Sequence, residues 1–143
     1  MAVSRGSHPS AIQDQVRRKI ESLRRALLDL HKALIEAERV TYERIHGRVD
    51  STGQLLQLVL HDGWFTWLHP LSQLVVRIDE LLDDKEQDTI VDIELVLTEI
   101  RALLRPSVEG DGFARSYYEA LQRAPDVVLA HSQVKQLLSP ARR

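Results

Sequence analysis

Apolar residues recur along this chain at alternating spacings of three and four. Ile20, Leu23, Leu27, Leu30, Leu34 and Ala37 form the first run, and Ile45 and Val49 continue it on a 3.6-residue period. That is the repeat of a helix with one buried face. Ser10 and Gln13, after Pro9, read as a capping box and place the start near residue 11, while Gly47 is the first stop signal. The spacing predicts a helix of roughly 36 residues, about 54 Å long. Such a helix outruns what the rest of a 143-residue chain can cover, so its end is expected to pack on a second copy.

Ser51 and Gln54 repeat the capping pattern and open a second segment. Its seam is Leu68, Leu71, Val75, Ile78 and Leu82. Gly63 and Pro70 interrupt it, because Pro70 has no N–H for the carbonyl of Thr66; a kinked second helix is expected. The acidic run DELLDDKEQD (79–88) lacks the glycine and the alternating carboxylates of a calcium loop, and reads as a solvated turn. Asp88 is a good N-cap for a third helix with the seam Ile90, Ile93, Leu97, Ile100 and Leu104, stopped by Pro106. SVEGDG (107–112) reads as a flexible linker. Phe113, Tyr117 and Leu121 then mark a short helix, and Pro125 starts the last, to about Leu138. No stretch alternates like a strand. The pattern predicts one all-α domain over 1–143, an antiparallel bundle of four to five helices with flexible ends at 1–9 and 139–143.

Charge changes this picture little. Net charge is −2, distributed as +4 over residues 1–49, −7 over 50–105 and +1 over 106–143. A basic first helix against an acidic middle is self-complementary, and the balance argues against general nucleic-acid binding. The chain contains no cysteine, which excludes disulfides, thiolate metal sites and cysteine nucleophiles. The opening MAVSRGSHPSAIQDQV has no apolar run of a secretory leader, and no stretch suits a membrane span, so a cytoplasmic protein is expected.

Four groups of residues invite a chemical reading. Glu43-Arg-Ile-His46 has the Glu-x-x-His spacing of di-iron bundles, but in one copy only, with Glu43 about 160° from the seam. His31, Glu38 and Tyr42 lie on one flank of the first helix. Joined by His61 and His131 from other helices, His31 and Glu38 are the candidate ligands for iron or zinc in a hemerythrin-like or other metal-binding bundle. The structural alternative is a set of buried hydrogen bonds. Arg17, Arg18, Lys19, Arg24 and Arg25 could meet an anionic partner, although interleaved Asp14 and Glu21 favour a solvated face. No nucleophile elbow or phosphate loop is present.

The fourth group is HDGWFTWLHP (61–70), which holds three of the chain's seven Phe, Trp and Tyr residues. Trp64, Phe65 and Trp67, with Tyr42, are either the filling of a kink in the core or anchors for a partner or an apolar ligand. Trp64 falls on the seam, His69 about 160° away from it.

Over YERIHGRV (42–49) and LLQLVLHDGWFTWLHPLSQLVVRIDELL (55–82) the chain resembles a family of small bacterial all-helical proteins with no assigned activity. The resemblance implies a bacterial, cytoplasmic, helical protein and nothing about mechanism. The leading functional reading is a non-enzymatic interaction or regulatory module, dimeric through its first helix. A metal-binding bundle and a carrier of a small apolar ligand are the alternatives.

Overall fold

A computed structural model describes the backbone of residues 3–83 and 90–139, and side chains over 14–83 and 92–139. The described residues form six α-helices and no strand, so the all-α class holds. They are α1 (Val3–His46), α2 (Thr52–His61), α3 (His69–Asp83), α4 (Ile90–Leu103), α5 (Gly112–Arg123) and α6 (Pro125–Leu138). A 3-10 turn, Thr66–Leu68, precedes α3.

The first helix has 44 residues, about 66 Å at 1.5 Å per residue. It begins at Val3, not at the capping box expected near residue 11, so Pro9 lies inside it. It stops where expected. Gly47 takes a φ of +94°, a left-handed conformation that glycine adopts without strain, and its N–H donates to the carbonyl of Glu43. Ile20, Leu23, Leu27, Leu30 and Leu34 are buried as the spacing requires, and the buried line then passes to Glu38. Ile45 lies only about 20° from Leu34 on the helical wheel, yet it is 64% exposed. Periodicity marked its direction correctly; no neighbouring helix reaches far enough to cover it.

Ser51 caps α2 as expected, its side chain accepting from the N–H of Gln54, while Gln54 reaches back to the N–H of Asp50. Where one kinked helix was expected, the chain makes two helices and a turn. Asp62 ends α2 in an extended conformation and its carboxylate accepts from the N–H of Trp64, an Asx-turn that redirects the backbone. Pro70 falls in the first turn of α3, where a missing N–H costs nothing.

Leu68, Leu71, Val75 and Ile78 are buried on α3, and Ile93, Leu97, Ile100 and Leu104 on α4 and its end. The expected N-cap Asp88 and most of the acidic turn lie outside the described residues, as do the side chain of Ile90 and residues 140–143. The 107–112 linker is tied down: Ser107 N–H donates to the carbonyl of Ala114, and Gly110 N–H to that of Ser107.

Side-chain bonds fix the directions. Arg17 reaches the carbonyl of Leu82, Arg24 pairs with Asp79, and His31 meets Ser72. Rising numbers on α1 thus meet falling numbers on α3. The α5–α6 turn sits beside Glu38 and Thr41, while Gln136 and Leu137 lie beside Arg18 and Glu21, so α6 also runs opposite to α1. Arg77 on α3 pairs with Glu99 on α4 at 2.8 Å. One core joins all these elements; α2 contributes no fully buried residue but packs Leu55, Leu58 and Val59 against it.

Candidate interaction surface

The stretch 61–70 divides in two. Phe65 and Leu68 are fully buried, so Phe65 belongs to the core and cannot anchor a partner. Tyr42 of α1 lies over it, with ring centroids 5.7 Å from Phe65, 5.9 Å from Trp64 and 4.5 Å from His46. Trp67 points the other way, onto Phe113 at 5.2 Å, which continues through Tyr117 to His131. Trp64 and Trp67 are half-buried against the core. The indole N–H of Trp64 is covered and has no hydrogen-bond partner among the described residues. His69 is half-buried instead of pointing outward, because the turn breaks the regular wheel on which its direction was read.

The four residues expected as metal ligands do not come together. His31 Nε2 lies 2.7 Å from Ser72 Oγ; Glu38 holds Arg123; His131 Nδ1 meets the Tyr117 hydroxyl; and His61 is exposed at the end of α2. Among the described residues no three histidines or carboxylates are gathered in a way that could hold a metal ion. Burial lowers the pKa of His31, burial and then the charge of Lys135 lower that of His131, and burial raises that of the Tyr117 hydroxyl. These are the signatures of satisfied polar groups inside a helical core, each with a partner from another helix.

Glu43 is also reassigned. The wheel placed it opposite the seam, but the chain folds back after Gly47, and Glu43 accepts from the N–H of the buried Val49 while pairing with Arg39. Of the five basic residues near the start of α1, Arg17 and Arg24 serve α3, capping its last carbonyls and pairing with Asp79.

Two surfaces remain unaccounted for by folding. The first is the outer side of α2: Leu55, Leu58 and Val59 pack partly buried against the core, while Leu56 is 54% and Leu60 49% exposed. Ile45 at the end of α1 is exposed as well. The second is the outward face of α1, a ridge between two open grooves. One, of about 820 Å³, is shared with Asp79, Leu82 and Asp83. The other, of about 550 Å³, is shared with Gln133, Gln136 and Leu137. Both are charged and wide open, unlike the enclosed apolar cavity a lipid-like ligand needs.

Nothing in the sequence pattern identified Ser72, Tyr117 or Arg123 as the partners of His31, His131 and Glu38, since partners across helices have no fixed spacing. The aliphatic excess of α2 was legible; its exposure was not. Comparison with protein-family models, with curated proteins and with solved structures found no match. No described helix is long and apolar enough to cross a membrane.

Proposed function

We propose that this chain is a non-enzymatic protein-interaction module, an antiparallel helical bundle that acts in the cytoplasm as a homodimer through α1. The observation that carries the reading is the mismatch in helix length. α1 has 44 residues, whereas α3 and α6, which run along it, have 15 and 14, about 23 and 21 Å against about 66 Å. Isolated helical stretches are marginal in water, and tertiary packing normally supplies their stability. A second copy supplies it here. The exposed aliphatic face of α2 supports the same reading, as a place for a further protein partner.

The reading places function on the surfaces, and among the described residues no three histidines or carboxylates are gathered in a way that could hold a metal ion. Size-exclusion chromatography with light scattering tests the proposal. A mass twice the 16.4 kDa of the chain is expected, and a monomer at high micromolar concentration would refute it.

A further inference from the structure

The outward face of α1 has an order that the fold does not use. Within about 60° of the wheel direction of Arg18, the charged residues over 14–43 are Asp14, Arg18, Glu21, Arg25, Asp29, Lys32, Glu36, Arg39 and Glu43. Their signs alternate without exception. At the C-terminal end the charges are consumed within the helix: Arg39 bonds Glu36 and Glu43, and Glu43 also holds Val49 N–H. Arg18, Glu21, Arg25, Asp29 and Lys32 are exposed, and none makes an ion pair among the described residues, although opposite charges lie one turn apart. The remaining side chains on this face are Gln15, Ser22, Ala33 and Val40.

An alternating row meets its own copy in a restricted way. In a parallel pair every charge faces its like. In an antiparallel pair centred on Asp29 the same holds, with Arg25 against Lys32 and Glu21 against Glu36. Centred between Arg25 and Asp29, each contact is between opposites, each made twice by the two-fold symmetry of an isologous dimer: Arg25 with Asp29 and Glu21 with Lys32, four charges without an ion pair among the described residues, and Arg18 with Glu36 and Asp14 with Arg39, which add to the existing Arg39–Glu36 pair. Moving the centre half a heptad later, between Asp29 and Lys32, again matches opposites but needs Glu43 to leave Val49 for a fourth pair. Moving it half a heptad earlier, between Glu21 and Arg25, loses a pair.

Resting on the homodimer reading above, we infer that the partner of this face is the α1 face of a second copy, antiparallel, with the two-fold axis between Arg25 and Asp29. The charge row supplies direction and register more than affinity, since exposed ion pairs contribute little individually and like-charge contacts penalise the alternatives. The ridge stands between its two grooves, whose far walls are α3 and α6.

Two measurements on the full chain test the inference. Arg25→Asp faces Asp29 of the other copy twice, and is expected to weaken dimerisation at least about tenfold. Adding Asp29→Arg swaps the pair and restores it, which it does in no other register. Circular dichroism confirms that both variants fold, as expected at exposed positions. Because the chain has no cysteine, Gln15→Cys and Val40→Cys can be introduced singly and mixed. A disulfide between position 15 of one chain and position 40 of the other is the expected product. Homodisulfides at both positions without the mixed one indicate a parallel pair and overturn the inference. A wild-type dimer indifferent to Arg25→Asp and giving no cross-link overturns it while leaving dimerisation standing; a wild-type monomer removes both.

Discussion

Glu38 and Arg123 form an ion pair that joins the C-terminal part of α1 to the end of α5, with the Glu38 side chain 9% exposed and that of Arg123 35%. The two ends of the pair are therefore unequal. Arg123→Ala strands a carboxylate in the core, whereas Glu38→Ala leaves a guanidinium able to turn outward. We predict that Arg123→Ala destabilises by about 2–4 kcal/mol and Glu38→Ala by roughly half as much. Urea denaturation of both variants, with the double variant to complete the cycle, checks the order. Equal losses would mean that the carboxylate finds water once Arg123 is gone.

Acid should loosen the fold through its histidines. Burial holds the folded-state pKa of His31 and of His131 below the ordinary 6.5, with Lys135 adding to the effect at His131. The unfolded chain therefore binds protons first as pH falls, and linkage makes stability decrease below about pH 6.5 until the folded pKa values are passed. The Tyr117 hydroxyl serves His131 in either protonation state, so the loss reflects burial of charge more than a broken hydrogen bond. Midpoints of denaturation at pH 7.5 and 5.5 measure it. In His31→Gln/His131→Gln the slope over that interval should flatten, and an unchanged slope would place the titration elsewhere.

Exposure separates residues that periodicity treats alike. Phe65→Ala removes a fully buried ring and should cost about 3–5 kcal/mol. Ile45→Ala, at a position equally apolar and on the expected seam, should change stability by less than about 0.5 kcal/mol. Thermal melts of the two distinguish them readily. A large loss at Ile45 would show that a second chain covers it in solution, and its concentration dependence would identify that cover.

The aliphatic face of α2 is predicted to be spare for folding. Leu56→Glu/Leu60→Glu should retain the helical signal, a melting temperature within a few degrees of the wild type, and the α1-mediated dimer. Circular dichroism with light scattering checks all three together. Loss of the dimer would move the self-association surface from α1 to α2.

These contrasts also show how far the residues could be read in advance. Helical class, the stop at Gly47, the Ser51 cap and the start at Pro125 were legible because each depends on residues within one turn. The seam from Ile20 to Leu34 was legible because it is one-dimensional. What failed depended on the third dimension: whether anything lies over Ile45, whether Asp62 turns the chain before Gly63, and which groups on other helices stand beside His31 and His131. The expected ligand set dissolved for that reason. His61 is exposed on α2, and the partners of His31 and His131 are a serine and a tyrosine on other helices. The alternating charges on α1 were present in the sequence throughout. They gained meaning only once the helix proved continuous past both ends of its neighbours and Arg17 and Arg24 were seen to be occupied by α3.

Sedimentation equilibrium of the wild-type chain from about 1 to 200 µM is the most direct test of self-association through α1. The account predicts a monomer–dimer equilibrium approaching twice 16.4 kDa, shifted toward monomer by Arg25→Asp and returned by Arg25→Asp/Asp29→Arg. A single 16.4 kDa species over the whole range would contradict it.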